Sequence, residues 1–167
     1  MLKDFARIRN SRPDDAEALA RIYRESWELA YRGIIPEPAL LGMIDRRGTS
    51  WWDTAARGDD GPIVLEAGRN VAGYATAGKN RSSGRYQGEI YELYLGPIYQ
   101  GLGFGELLFE AARTRLDMQS LDGLVVWALV DNIGACSFYE RRGGRQVATG
   151  QQCFAGKTLD KIAFGWI

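Results

Sequence analysis

The period of the apolar positions changes once near the middle of the chain. Residues 89–95 are mostly aromatic and apolar, with high strand preference, and Gly96-Pro97 ends the run. From Phe104 onward, apolar residues recur at the spacing of a helix with one buried face, at positions 104, 107, 108, 111 and 112. The pattern therefore predicts a strand and a helix joined by the glycine-containing segment 100–105.

The rest of the chain alternates between helical and strand patterns. Helices are predicted at residues 13–31, 36–46 and 49–57 and after residue 131. Strands are predicted at residues 5–9, 63–67, 71–78, 124–130, 145–154 and 160–166. The run 124–130 is continuously apolar, so we expect a covered strand that pairs in parallel with residues 89–95 through the intervening helix. No repeat or linker interrupts the pattern, and one domain over residues 1–167 is predicted.

Composition removes several classes of function. The 21 basic and 21 acidic residues balance, so no overall charge attracts the chain to nucleic acid or to a membrane surface. Histidine is absent, which excludes histidine-based triads and histidine-ligated metal sites, and no metal is expected. The two cysteines make neither a disulfide framework nor a Cys-x-x-Cys metal pair. With no signal-peptide pattern and no apolar run of membrane-spanning length, a cytoplasmic location is expected.

The loop before the central helix has the composition of an anion site. Gly101, Gly103 and Gly105 let the backbone approach a ligand, and the first turn of the helix presents N–H groups without intrahelical partners. The spacing Gly-x-Gly-x-Gly matches neither the dinucleotide fingerprint nor the P-loop, so a nucleotide P-loop is disfavoured. On loop shape alone, a glycine-rich turn that binds nothing remains the alternative.

Two motifs in this part of the chain resemble those of the GNAT superfamily of N-acetyltransferases. Gln100, Gly103 and Gly105 fill the fixed positions of its acyl-CoA loop, Gln/Arg-x-x-Gly-x-Gly/Ala, and residues 95–97 resemble the hydrophobic-x-Pro that precedes the loop. Residues 132–143 resemble its second motif, Asn-x-x-Ala-x-x-Phe-Tyr-x-x-x-Gly. The two motifs occur in the family's order and separation.

The resemblance implies a fold and a cosubstrate. The expected α/β (α+β) fold is the GNAT fold: a mostly antiparallel twisted sheet, flanked by helices, whose parallel central strand pair is splayed to admit acetyl-CoA. The loop is expected to hold the CoA pyrophosphate through residues Gln100, Gly101, Leu102, Gly103, Phe104 and Gly105. The pantetheine arm is expected to pair with the strand backbone at Leu93, Tyr94 and Leu95. Asn132 is expected to contact the same arm, with a plain helix cap as the alternative.

Tyr139, in the second motif, is the predicted general acid. Transfer of an acetyl group from a thioester to an amine requires a neutral amine, a polarised carbonyl and a proton for the departing thiolate. A phenol has an ordinary pKa of about 10, close to that of an alkyl thiol, so this proton transfer is nearly balanced. In the family, the matching tyrosine points at the thioester sulfur. The alternative is that Tyr139 only packs beside Phe138 under the sheet.

The sequence leaves the general base open. Glu89 and Glu92 are the candidates, besides water chains that end at a carboxylate. Glu89 matches a base position of some family members, and Glu92 lies nearer the expected thioester. Three residues apart, they would face opposite sides of a regular strand, and only one would reach the acceptor unless a bulge intervenes. The alternative for each is a solvated or salt-bridged carboxylate. Other family members carry a glutamate where this chain has Trp127.

Trp27 and Tyr31 are predicted to shape the acceptor site. They belong to the segment Ser-Trp-x-x-Ala-Tyr-Arg-Gly-Ile-Ile-Pro at residues 26–36, which resembles a segment that recurs in one bacterial group of the family. In the family, the first two helices and their connection form one wall of the acceptor pocket. The alternative is that these aromatic side chains only pack the helices onto the sheet.

The predicted function is transfer of an acetyl group from acetyl-CoA to a primary amine of a small molecule or peptide, by direct attack in a ternary complex. No covalent intermediate is expected, because neither cysteine lies in the loop motif. A small amine, an amino acid, an antibiotic and a peptide N-terminus fit about equally as acceptors. The main alternative is a module that binds or senses acyl-CoA without transfer. A Rossmann-type oxidoreductase is disfavoured by the loop spacing and the single crossover. Dimers are common in the family, and a homodimer is left open.

Overall fold

The computed structural model describes residues 2–167, with the side chains of residues 4–167. Within this range the strands are β1 (Ala6–Asn10), β2 (Ile63–Ala67), β3 (Asn70–Lys79), β4 (Gly88–Leu95), β5 (Leu124–Leu129), β6 (Arg145–Phe154) and β7 (Lys157–Trp166). The α-helices are α1 (Ala16–Tyr31), α2 (Glu37–Arg46), α3 (Thr49–Ala55), α4 (Phe104–Met118) and α5 (Ile133–Arg141). Single turns of 3₁₀ helix lie at Leu2–Phe5, Pro13–Asp15 and Pro97–Tyr99.

All the described strands belong to one mixed sheet in the order β1-β2-β3-β4-β5-β7-β6. Only β4 and β5 run parallel, and every other neighbouring pair is antiparallel. The parallel pairing covers three residues of each strand, 88–90 of β4 and 124–126 of β5. The two strands then separate, so the second half of β4 has no partner on its β5 side. The predicted fold, a mostly antiparallel sheet with a splayed parallel pair, is confirmed.

Helix α4 makes the crossover between the parallel strands, as the apolar pattern predicts. Its buried stripe packs against β3 and β4 and contributes Phe104, Leu108, Phe109, Ala112 and Leu116 to the core on that side of the sheet. Parallel neighbours require such a long connection, and a helix covering the sheet is its usual form. This packing fixes the glycine-containing segment 100–105, called the glycine loop below, against the end of β4.

Helices α1, α2 and α3 form a second core that is built around large aromatic side chains. Trp52, Tyr23 and Tyr74 are almost completely buried there, together with Leu19 and Ile22 of α1. Asp15 anchors the start of α1, since it accepts two hydrogen bonds of 2.8 Å from the guanidinium of Arg9 in β1. One wall of the site described below is therefore held rigidly to the sheet.

Several element boundaries differ from the predicted ones. Strand β7 begins at Lys157 instead of residue 160, because Ala155 and Gly156 both adopt positive φ, 49° and 85°, and close a two-residue hairpin. Alanine rarely adopts this conformation, so a two-residue turn at Ala155-Gly156 was not predicted. Residues 13–15 form a 3₁₀ turn before α1, and α3 ends two residues earlier than predicted.

No helix in the described part of the chain is both long enough and apolar enough to cross a membrane.

Candidate active site

Two cavities open where β4 and β5 separate. The first, the loop cleft, has a volume of about 680 Å³ and is bounded by the second half of β4, the glycine loop and α5. The second, the aromatic cavity, has a volume of about 780 Å³ and is bounded by α1, α2, α3 and the sheet. Both volumes are typical of small-molecule sites. Tyr94 lines both cavities, so they adjoin at the splay of the sheet.

The glycine loop has the geometry of an anion site. Gly101 and Gly103 have φ values of 76° and 86°, a left-handed conformation that favours glycine. Gly103 is the N-cap of α4 and provides no side chain to the N–H groups of the first turn, which are therefore available to an anion. A Cβ at Gly105 would lie 2.9 Å from the ring of Phe138, so this glycine permits close packing of α4 against α5.

Most of the predicted cosubstrate residues line the loop cleft. The lining includes Leu93, Tyr94, Leu95, Gln100, Gly101, Gly103, Gly105 and Asn132. Gln100 also donates a hydrogen bond of 3.3 Å to the carbonyl oxygen of Leu95, which holds the loop at the end of β4. The side chains of Leu102 and Phe104 do not line the cleft: that of Leu102 is exposed, and that of Phe104 is buried in the core.

Two arginines of the loop cleft were missed by the sequence analysis. Arg141 and Arg142 lie at the end of α5 and line the cleft together with the glycine loop. The guanidinium of Arg142 stacks 4.1 Å from the ring centroid of Phe138, and its buried Nε has no acceptor among the described residues. The available signal was helical spacing, because Arg142 lies one turn after Phe138. The uncapped helix and the guanidinium groups of Arg141 and Arg142 fit the phosphate groups of a CoA-like ligand.

Asn132 and Tyr139 occupy the cleft from opposite ends of α5. Asn132 caps the helix by accepting a hydrogen bond of 3.2 Å from the N–H of Ala135, and its side chain also lines the cleft. Tyr139 is 6% exposed and packs against the rings of Phe138 and Phe164. Burial raises the pKa of Tyr139 above its ordinary value, so the phenol keeps its proton at neutral pH and can only donate it.

A β-bulge places both candidate bases on the same side of β4. Ile90 and Glu92 lie opposite two consecutive residues of β3, so Tyr91 is an extra residue in the ladder. The extra residue reverses the alternation of side chains along the strand. The strand is therefore not regular: the bulge that the sequence analysis left open is present, and Glu89 and Glu92 both line the aromatic cavity.

Each of these carboxylates is held by its own guanidinium. Glu89 is 2% exposed and accepts hydrogen bonds from the backbone N–H of Arg81 at 2.9 Å and from its Nη2 at 2.7 Å. Glu92 forms an ion pair with Arg47 and accepts a hydrogen bond of 2.8 Å from the hydroxyl of Tyr74. Glu89 is thus tied to the loop before β4, whereas Glu92 is tied to the end of α2.

The aromatic cavity takes its walls from α1, α3 and β5. Trp27 and Tyr31 line it, with their ring centroids 4.8 Å apart. Tyr23 and Trp51 also line it, although the sequence analysis assigned neither to the site. Trp127 of β5 lines the cavity as well.

The described residues contain no group of three or more histidine, cysteine, aspartate or glutamate side chains that could hold a metal ion.

The chain belongs to the acetyltransferase (GNAT) family. Residues 16–144, most of the chain, match the family's model. The family is one of acyltransferases, so the protein is an acyl-CoA-dependent N-acyltransferase. The chain is 27% identical over 161 residues to the uncharacterized N-acetyltransferase YuaI of Bacillus subtilis, covering 95% of this chain and 91% of the relative.

Solved structures share the fold. PaiA N-acetyltransferase from Thermoplasma acidophilum, in complex with coenzyme A, aligns with a TM-score of 0.71 at 18% identity, over 93% of this chain and 97% of the other. YncA from Salmonella typhimurium, solved with its cofactor acetyl-CoA, aligns with a TM-score of 0.71 at 22% identity, over 97% of this chain and 93% of the other.

Proposed function

We propose that the protein transfers an acetyl group from acetyl-CoA to a primary amine by direct attack in a ternary complex. One observation carries the proposal: two cavities of different character adjoin at the splay of β4 and β5. The loop cleft has an anion site and a protonated tyrosine, whereas the aromatic cavity has two carboxylates. The thioester donor requires an anion site and a proton donor, and the amine acceptor requires a nearby carboxylate. The two sets of groups must lie on opposite sides of the bond that forms.

The loop cleft is the proposed acetyl-CoA site. The first-turn N–H groups of α4, together with Arg141 and Arg142, are placed to bind phosphate groups. The β5-facing edge of β4 has no strand partner after Ile90, so its backbone groups are free to pair with an extended arm. The two solved neighbours that contain coenzyme A or acetyl-CoA support this assignment.

Tyr139 and Glu92 are the proposed acid and base. Bound acetyl-CoA supplies the acetyl thioester. Glu92 receives the proton of the amine through water, and Tyr139 gives its proton to the departing sulfur. We choose Glu92 over Glu89 because Glu92 lies two residues before Tyr94, which lines both cavities, whereas Glu89 lies in the part of β4 that is still paired with β5. Trp27 and Tyr31 are the proposed walls around the acceptor.

The experiment that tests the proposal measures thiol release from acetyl-CoA with a panel of primary amines, alongside the dissociation constant of acetyl-CoA. The proposal predicts amine-dependent release and double-reciprocal plots that intersect, as a ternary complex requires. Acetyl-CoA binding without turnover on any amine would contradict transfer.

A further inference from the structure

The charges around the aromatic cavity do not balance. The cations that line it are Arg46, Arg47, Arg81 and Lys161, and the carboxylates are Glu89 and Glu92. The described lining therefore carries four positive side chains and two negative ones. This excess is local, because the chain as a whole has no net charge.

Two of the four cations form no ion pair with a described carboxylate. Arg81 pairs with Glu89, and Arg47 pairs with Glu92, so these four side chains neutralise one another. The ion pairs found among the described residues include neither Arg46 nor Lys161. The ammonium of Lys161 instead lies 4.7 Å from the ring centroid of Trp127. The cavity therefore presents two positive charges that no described carboxylate neutralises.

Lys161 is on the same face of the sheet as the carboxylates but at a distance from them. Glu89 pairs with Val125, and Lys161 pairs with Leu129, so Trp127 lies between these two rows on β5. Side chains two residues apart share a face, which places Glu89, Trp127 and Lys161 on the same side. Strand β7 is two strands from β4, or roughly 10 Å sideways at the usual strand spacing.

We propose that the acceptor is an amine that also carries an anionic group, such as a carboxylate, several bonds away from its nitrogen. The inference rests on the proposed function, because it names the substrate class of the same site. The amine lies beside Glu92, the body of the molecule packs against the aromatic walls, and the anionic group meets Lys161, while the exposed Arg46 adds positive charge to the lining. Polyamines and other polycationic amines are poor acceptors, because their remaining charge faces unneutralised cations.

The test compares acceptors that share one skeleton and differ only in charge. 4-(Aminomethyl)benzoate, 4-(aminomethyl)benzamide and 4-(aminomethyl)benzylamine carry the same reacting amine with an anionic, a neutral and a cationic group opposite it. An aliphatic set consists of 6-aminohexanoate, its amide and 1,6-diaminohexane. We expect kcat/KM to be at least tenfold higher for the acid than for the amide, and lowest for the diamine. Equal values, or a preference for the diamine, would overturn the inference while leaving transfer intact.

Variants assign the preference to the two cations. Lys161→Gln and Arg46→Gln should each lower the ratio of kcat/KM between acid and amide at least threefold. Lys157→Gln is the matched control, because Lys157 lies on the same strand but contacts the carbonyl oxygen of Ile34 outside the cavity lining. An unchanged ratio in both cavity variants would overturn the assignment.

If no amine of the panel is acetylated, the proposed transfer is contradicted, and binding measurements then test the anion site separately. The six compounds are then titrated calorimetrically into the protein saturated with coenzyme A. Tighter binding of the acids than of the amides and diamines, weakened in Lys161→Gln, would support the anion site on its own. Equal binding of all three charge types would overturn it.

Discussion

Glu89 and Glu92 share a face of β4 but differ in their surroundings. Glu89 is almost completely buried, and its guanidinium partner belongs to a largely exposed arginine, Arg81. Glu92 has a half-buried partner, Arg47, whose guanidinium also stacks on the ring of Trp51 at 4.5 Å. Glu92 is thus part of the cavity's fixed wall, whereas Glu89 is held by a loop.

Replacing each glutamate with glutamine separates the two candidate bases. We expect Glu92→Gln to lower kcat by about 100-fold or more at neutral pH, in the range typical of lost acid-base catalysis. The loss should shrink as pH rises, because the amine then loses its proton to solvent. Glu89→Gln should lower kcat by less than about tenfold. Steady-state rates between pH 7 and 10 provide the measurement, and a larger loss in Glu89→Gln would identify Glu89 as the base.

The loop residues could be predicted from the sequence, but their ionic partners could not. Gly103 is required by its positive φ, and Gln100 donates to a backbone oxygen only five residues away, so a short motif reveals both. The pairing of Arg47 with Glu92 joins residues that are 45 positions apart, and it depends on how α2 packs against the sheet. No local pattern marks such a pair, nor the bulge at Tyr91 that turns Glu92 toward it.

At the scale of single elements, α1 depends on its attachment to β1. Asp15 accepts hydrogen bonds from Arg9 and from the backbone N–H of Arg12 at 2.7 Å. Burial alone would raise the pKa of Asp15, but these hydrogen bonds outweigh it and lower the pKa below its ordinary value. The ionised carboxylate therefore contributes stability above about pH 4, and this contribution is lost as pH falls through the lowered pKa.

Asp15→Asn should destabilise the protein by about 1 to 3 kcal/mol at pH 7, because charge-assisted hydrogen bonds to Arg9 are lost. The difference from wild type should shrink as the pH falls below about 4, where the wild-type carboxyl also becomes protonated. Urea unfolding at pH 7 and at a pH below about 4 provides the measurement. Asp14→Asn is the control, since Asp14 is an exposed neighbour. Equal midpoints for Asp15→Asn and Asp14→Asn at pH 7 would contradict the anchoring role.

The elements themselves were largely predictable, because their apolar periods are clear. The crossover by α4 and the parallel pairing of β5 follow from a helical stripe and a continuous apolar run. The start of β7 was not predictable, since its hairpin uses Ala155 at positive φ. Such a conformation is imposed by pairing with β6 and not by the preference of the residue.

At the scale of the whole molecule, buried tyrosines make the free energy of unfolding fall at alkaline pH. Burial raises the pKa of Tyr23 to about 12, and it raises the pKa of Tyr74 and Tyr139 above the ordinary value as well. A raised pKa means that the folded state keeps a proton which the unfolded state releases above about pH 10. Their stabilising contribution is therefore complete below that pH and is lost as pH rises toward the folded-state pKa.

The free energy of unfolding should accordingly fall above about pH 10. Each buried tyrosine contributes a slope of about 1.4 kcal/mol per pH unit between its two pKa values. Urea midpoints measured from pH 8 to 11 check this expectation. Tyr23→Phe should reduce the slope of the unfolding free energy against pH by about 1.4 kcal/mol per pH unit. A midpoint that stays constant to pH 11 would contradict the burial of these phenols.

The two adjoining cavities make the protein suited to a reaction between two bound molecules. Tyr139 offers a direct test of the proposed transfer, because its ring is part of the core while its hydroxyl is the proposed acid. Tyr139→Phe keeps the packing against Phe138 and Phe164, so the variant should fold. Tyr86→Phe is the matched control, since Tyr86 lies outside the lining of both cavities.

The measurement is amine-dependent thiol release by Tyr139→Phe, together with its dissociation constant for acetyl-CoA. We expect kcat to fall at least tenfold, about 1.4 kcal/mol of transition-state stabilisation, while acetyl-CoA binding stays within twofold of wild type. Tyr86→Phe should retain the wild-type rate. A kcat for Tyr139→Phe within twofold of wild type would contradict the role of Tyr139 as the acid.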